Sequence, residues 1–245
     1  MMNRLMDFIF PRTCLLCADK HKLLPSCNLC VACFGDFVLN SHACAKCGVP
    51  LPRPHREPHH VSVKERVCGN CLKKPQAFET CWSPFIYTQP LEWVIQQFKF
   101  NANLMYAPLL SDLMIQQIPA FLYKQQRPDA VIPMPLHYKR LKHRGFNQSL
   151  LLAKPVAKVL GVPVDSVSCQ RKHNTDHQTG KNARQRQLNI KGAFQFNNRH
   201  NYQHLVIFDD VVTTGSSVSE LTKTLKLSGV NRVDVWSLAR AERLN

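Results

Sequence analysis

Ten of the eleven cysteines lie before residue 82, and eight of them form four Cys-x-x-Cys pairs: Cys14/Cys17, Cys30/Cys33, Cys44/Cys47 and Cys68/Cys71. Two intervening residues let one tight turn aim both thiolates at a single ion, and two such turns close a tetrahedral four-sulfur shell. Taken in order, the first two pairs build one zinc ribbon and the second two another, giving two structural zinc ions. Cys27, Cys81 and Cys169 are left over. Cys27/Cys30 is an equally spaced pair that would leave Cys33 spare, and His42, His55, His59 and His60 are substitute ligands. Disulfides are the other use of such cysteines, and they belong to oxidising compartments. A closed four-thiolate shell has no open position for substrate. Some seventy residues rich in Pro, His and Cys also have too little apolar mass to fold unaided, so the expected metal is structural.

Cysteine usage stops near Cys81–Gln89, where helical spacing begins in Leu91, Val94, Ile95 and Phe98 and returns in Leu109, Leu110, Leu113 and Met114. This places a cysteine module over residues 1–80 and an α/β domain over 85–245. An unbroken apolar run marks a strand at Leu205–Phe208, and further strands are expected near Ala130–Pro133, Val162–Val167 and Val233–Leu238. They alternate with helices over Ser149–Leu160, which stops at Gly161, and over Ser217–Leu227. That order predicts a mainly parallel sheet flanked by helices in three layers. The apolar residues within Met1–Pro11 are too few and too interrupted for a secretory signal or a membrane span, and no later run reaches spanning length. The expectation is a cytoplasmic protein with no direct membrane insertion.

The densest chemistry sits at His204-Leu-Val-Ile-Phe-Asp-Asp-Val-Val-Thr-Thr-Gly-Ser-Ser-Val218. A buried strand here runs into a turn of small residues that opens a helix. The backbone N–H groups and hydroxyls of Thr213, Thr214, Gly215, Ser216 and Ser217 suit a phosphate at a helix N-terminus. Asp209 and Asp210 would repel that phosphate, so they are assigned to the sugar hydroxyls beside it or to a hydrated divalent metal. A strand ending in acidic helix-capping residues is the plainer alternative.

Charge points the same way. The chain carries a formal +16, and residues 121–204 hold fifteen Lys or Arg against Asp129, Asp165 and Asp176, a net +12. Such a surplus favours anionic partners, nucleic acid or phosphorylated metabolites, although basic surfaces also serve solubility. Tyr138, Phe146, Phe194, Phe196 and Tyr202 lie among these cations. Aromatic faces between cations suit single-stranded nucleic acid, while Phe194 and Phe196 read equally well as strand core.

The run Phe208–Ser217 resembles the phosphoribosyl-pyrophosphate signature of type I phosphoribosyltransferases. The whole chain resembles the ComF/GntX family of competence-associated proteins, through the cysteine pairs, Phe98-Lys-Phe100, Pro133-Met-Pro-Leu136, Arg144-Gly-Phe-Asn-Gln148 and Gln178–Phe194. The resemblance implies a phosphoribosyltransferase-like fold in which a second loop, Pro135–Gly145, meets pyrophosphate with Lys139, Arg140, Lys142 and Arg144. It also implies a hood over Arg171–Lys191 that brings Arg171, Lys172, Lys181, Arg184 and Arg186 over the ligand. Candidate catalytic residues are then Asp209, Asp210 and Arg144, with Thr213–Ser217, Lys139 and Arg140 binding magnesium-complexed phosphoribosyl pyrophosphate.

Two functions follow from the resemblance. One is a competence protein that handles imported single-stranded DNA beside the DNA-uptake machinery, with the phosphoribosyltransferase domain as a ligand-binding scaffold. The other is an active magnesium-dependent phosphoribosyltransferase on a nitrogen acceptor. No acceptor-base pocket or ammonia-supplying domain is visible in the residues.

Overall fold

The computed structural model describes residues 12–20, 22–52, 66–119, 122, 127–173 and 190–242. Its centre is a five-stranded, all-parallel sheet. The strands are β1 (Cys81–Trp82), β2 (Phe85–Ile86), β3 (Ala130–Pro133), β6 (His204–Val212) and β7 (Arg232–Arg240). β7 lies between β6 and the short pair β1 and β2, and β6 lies between β7 and β3. A separate antiparallel hairpin joins β4 (Cys169–Arg171) to β5 (Phe194–Phe196).

Alternation along the strands divides the sheet between two cores. Val131, Val206, Phe208, Trp236 and Leu238 face one cluster, while Ala130, Ile132, Leu205, Ile207, Val233 and Val235 face the other. Three helices cover the first face: α3 (Leu91–Phe100), α4 (Tyr106–Gln116) and α6 (Gln148–Leu160). The heptad-like positions read from the sequence are the buried ones, Leu91, Val94, Ile95 and Phe98 on α3 and Leu109, Leu110, Leu113 and Met114 on α4. The second face is covered by α7 (Ser216–Leu227), through Val218, Leu221 and Leu225, and by the β4–β5 hairpin.

Helix α6 has clear end signals. Asn147 caps it by accepting from the Leu150 N–H at 3.2 Å, and Gly161 ends it in the left-handed region at φ 66°.

The cysteine segment contributes the short helices α1 (Val31–Gly35) and α2 (Gly69–Lys73). Its two halves pack on opposite faces of the sheet. Cys14, Cys27, Leu29, Cys30 and Phe37 join the core with α3 and α4, whereas Cys44, Cys47, Val49 and Cys71 join the core with α7. Backbone pairing also links the segment to the sheet, since the Ile86 N–H donates to Val38 O at 2.9 Å.

Two expectations change. Val162–Val167 is not a strand: it meets the sheet at one bridge, Val131 to Val164. Pro163 has no N–H for a ladder, and the Asp165 carboxylate accepts from the N–H groups of Val167 and Ser168, turning the chain away. Within the cation-rich loop after β3, Tyr138–Arg144 is a helix, α5, ended by Gly145 at φ 82°.

Candidate functional site

Parallel strands β3 and β6 end at the same edge of the sheet, and the segments that follow them enclose a cleft of about 680 Å³. Asp209, Asp210, Thr213 and Ser217 enter it from β6 and the turn beyond. Lys139, Arg140 and Arg144 enter from α5, and Lys99 and Phe100 from the C-terminal end of α3. Of the residues singled out above, Asp209, Asp210, Arg144, Lys139, Arg140, Thr213 and Ser217 thus share one space. Thr214, Gly215 and Ser216 line a small adjoining hollow of about 40 Å³, together with Asp209, Thr213 and Ser217. Lys142 does not line the cleft and is exposed. Arg171 lines it, while Lys181, Arg184 and Arg186 lie outside the described residues.

The turn after β6 is accessible. Thr213 and Thr214 are exposed, and the Thr214 and Ser216 hydroxyls lie 2.9 Å apart at the start of the twelve-residue α7. Gly215 supplies the reversal at φ 79°, a conformation that L side chains adopt at a cost. The result is a group of N–H and O–H donors at a helix N-terminus, facing open space.

The two acids are not equivalent. Asp210 is 2% exposed and pairs with the Lys99 ammonium, and Gln148 Nε2 donates to its Oδ1 at 3.4 Å. Asp209 accepts from Ser149 Oγ at 3.1 Å and from the Asp210 N–H at 2.9 Å. Burial, and then the charge of Asp210, pushes the Asp209 carboxyl up to about 8. Burial opposes ionisation of Asp210 too, but Lys99 outweighs it and holds that carboxyl below the ordinary range.

On the far side, burial lowers the Arg144 pKa and brings Arg171 down to about 10, with Arg140 adding to both effects. Arg144 donates to Gln148 Oε1 and stands 5.6 Å from the Phe100 ring centroid. Cations held partly out of water in this way are stabilised by a bound anion.

Lys99, Gln148, Ser149 and Phe100 had no assigned role in the sequence. Lys99 and Phe100 lie in the Phe98-Lys-Phe100 segment and Gln148 ends the Arg144-Gly-Phe-Asn-Gln148 segment, whereas Ser149, buried with Gln148 at the start of α6, carried no signal in the sequence. The aromatic residues divide. Phe194 and Phe196 are core and Phe146 stacks on Phe98, whereas Tyr138 is 66% exposed and Phe100 73%. Phe100 lines the cleft beside Arg144, and Tyr138 opens the helix that carries Lys139, Arg140 and Arg144.

The metal-binding residues are grouped as the spacing implied: Cys14, Cys17, Cys30 and Cys33 in one cluster, Cys44, Cys47, Cys68 and Cys71 in the other, with the sulfurs of each within 4.8 Å of one another. Sulfurs of Cys17 and Cys30 are 3.7 Å apart, as are those of Cys47 and Cys68. A tetrahedral site with Zn–S of about 2.3 Å has an S···S edge of about 3.8 Å, so both clusters fit the ion. Backbone N–H groups of Cys33 and Cys68 donate to the sulfurs of Cys30 and Cys44. The hydrogen bond between Cys44 and Cys47 draws the Cys44 thiol down to about 4 and pushes the Cys47 thiol up, so the two share one proton while no metal is bound. Cys27 belongs to neither cluster; it is a core thiol beside Gln116, pushed up by burial, as are Cys81 and Cys169.

Among the described residues no helix is long and apolar enough to cross a membrane. Residues 5–72 match the double zinc ribbon domain family. The chain is 34% identical over 232 residues to the DNA utilization protein YhgH of Salmonella typhimurium, covering 94% of this chain and 97% of that protein. It is 34% identical over 183 residues to Competence protein F of Haemophilus influenzae, covering 71% and 78%. With Competence protein ComFC of Bacillus subtilis it shares 23% identity over 230 residues, covering 88% and 89%.

Proposed function

The chain belongs to the ComF/GntX family of competence-associated proteins, and from that premise we propose that it handles imported single-stranded DNA in the cytoplasm, in a manner tied to phosphoribosyl pyrophosphate. The cleft carries this reading. Its volume of about 680 Å³ falls within the range of about 300–1,000 Å³ usual for small-ligand pockets. Phosphoribosyl pyrophosphate has a phosphate at one end, a pyrophosphate at the other and two ribose hydroxyls between them. The order of donors matches: Thr213–Ser217 for the 5′-phosphate, Asp209 and Asp210 for the hydroxyls, and Lys139, Arg140 and Arg144 for the pyrophosphate with its magnesium. Residues 85–245 then form the phosphoribosyltransferase-like unit and residues 1–80 the zinc-ribbon module that braces it.

Exposed Phe100 and Tyr138 beside these cations suit bases that stack while phosphates meet Lys and Arg. The names of the relatives, DNA utilization protein and competence protein, agree with this use, and the uptake machinery is the corresponding protein partner. The second reading, a magnesium-dependent phosphoribosyltransferase, draws support from the acid pair at a strand end facing the cations. Anions clamped at both ends would leave the anomeric bond oriented and electron-poor.

Calorimetric titration of the full chain with phosphoribosyl pyrophosphate and magnesium tests the site. Binding is expected for the natural chain and its loss in the double variant Asp209→Asn/Asp210→Asn; equal affinity in both removes the ribose assignment. For DNA, affinity for a single-stranded oligonucleotide is expected to fall steeply with salt, and a flat response removes that half. Pyrophosphate release with candidate bases decides whether turnover occurs.

A further inference from the structure

Arg240, the last residue of β7, is 1% exposed and is among the largest fully buried side chains of the protein. Among the described residues no carboxylate pairs with it. Its Nε–H donates to the carbonyl of Cys47 at 2.9 Å, and Nη1 donates to those of Val212 at 2.8 Å, Thr213, and Ala241 at 3.1 Å. One guanidinium therefore joins two distant places: the cysteine turn of the second four-sulfur cluster, and the point where β6 turns into the Thr213–Ser217 cradle.

The cysteine turn is seated closely there. Gly48, at φ 67°, follows Cys47, and a Cβ at that position would meet Cys81 O at 3.0 Å and Cys81 Sγ at 3.1 Å. A side chain at residue 48 would push the turn off the sheet. Burying a cation costs several kcal/mol unless opposite charge or a full set of acceptors offsets it. Neutral carbonyls supply part of that offset. Four thiolates around a divalent ion carry a formal charge of about −2, and the Cys47 carbonyl that Arg240 holds belongs to one of those four ligand residues.

We infer that Arg240 is a positioning residue that couples the second four-sulfur cluster to the phosphate cradle. With Cys44, Cys47, Cys68 and Cys71 closed on their metal, the Cys47 carbonyl and the cluster's charge hold the guanidinium. The guanidinium in turn holds the carbonyls of Val212 and Thr213 and so aims the N–H groups that follow. Anion affinity at Thr213–Ser217 then depends on metal in the second cluster more than in the first, which packs on the opposite face. By linkage, a bound anion tightens metal retention by the same factor. This inference rests on the reading of Thr213–Ser217 as the phosphate site.

The test uses the full chain with phosphoribosyl pyrophosphate and magnesium as probe, read by calorimetry and by zinc release to a chromogenic chelator. Arg240→Lys keeps the charge but cannot fork across several carbonyls. It is expected to remain folded with two zinc ions and to lose about tenfold in probe affinity, within the usual coupling range of about 5–150-fold. Cys68→Ser, in the second cluster, is expected to lose more affinity than Cys17→Ser, in the first. In the natural chain the probe slows zinc release from one of the two sites, and Arg240→Lys abolishes that slowing, a readout that a purely structural role leaves unmoved.

Equal affinity in Arg240→Lys and the natural chain, or zinc release indifferent to the probe, overturns the coupling. If the natural chain binds no probe, the reading of the phosphate site fails first. Zinc release from Arg240→Met then decides the remaining link: release faster than natural at one site sustains it, and an unchanged rate ends it.

Discussion

Replacing Lys99 with Met leaves the Asp210 carboxylate buried without its ion-pair partner, with only the more distant Arg144 charge acting on it. Removing one partner of a buried pair costs about 3–5 kcal/mol, and because the Lys99 side chain is still 18% exposed the lower figure, about 3 kcal/mol, applies near pH 8. The cost depends on pH with a definite sign. In the natural chain the folded Asp210 pKa lies below its unfolded value, so its contribution to stability is present above the unfolded pKa of about 3.9 and is lost as pH falls. In Lys99→Met the same carboxyl is raised by burial, so its contribution is lost as pH rises. The difference between the two proteins therefore grows with pH, by at most about 1.4 kcal/mol per unit for one proton. Urea unfolding followed by tryptophan fluorescence is expected to give a difference below about 1 kcal/mol at pH 4.5 and about 3 kcal/mol at pH 8. The double variant Lys99→Met/Asp210→Asn should recover most of the loss at pH 8. A difference independent of pH, or a double variant no more stable than the single one, refutes the reasoning.

Phe98→Ala empties a fully buried site stacked on Phe146 at 5.2 Å and is expected to cost about 3–5 kcal/mol in urea unfolding. Asn147→Ala removes the α6 cap and a donor to Met134 O at 3.1 Å, for an expected loss of about 1 kcal/mol by thermal melting. Gly215→Ala, forced to φ 79°, is expected to cost about 1 kcal/mol or more in stability and to weaken phosphoribosyl-pyrophosphate binding in calorimetry. Prolonged chelation should release two zinc ions per chain and lower the melting temperature of the whole protein, since cysteines of both clusters sit in the cores on either face of the sheet.

Strong local signals made much of this fold legible in advance. β3 was expected at Ala130–Pro133 and α6 up to its Gly161 end, and spacing grouped the cysteines except for the choice between Cys27/Cys30 and Cys30/Cys33, which the fold settles for the latter. β6 was recognised in its apolar half, yet its pairing with β7 continues through Asp209 to Val212, beyond where composition suggests a strand should stop. Cys81–Trp82 and Phe85–Ile86 were hidden because two-residue strands interrupted by Pro84 show no period. In the site, motif residues could be read from Asp209 to Ser217. The Lys99–Asp210 pair and the four-carbonyl grip of Arg240 could not, because each joins segments far apart in the chain that only the folded sheet brings together.

The sheet's order also bears on how the chain is made. β7, near the C-terminus, is an interior strand, seated between β6 and the first two strands. A nascent chain emerging from its N-terminus therefore completes both cysteine clusters and four of the five sheet strands before the piece that unites them exists. Until Arg232–Arg240 leaves the ribosome, β6 keeps an open hydrogen-bonding edge, and an early stop codon would leave that edge free to recruit other chains.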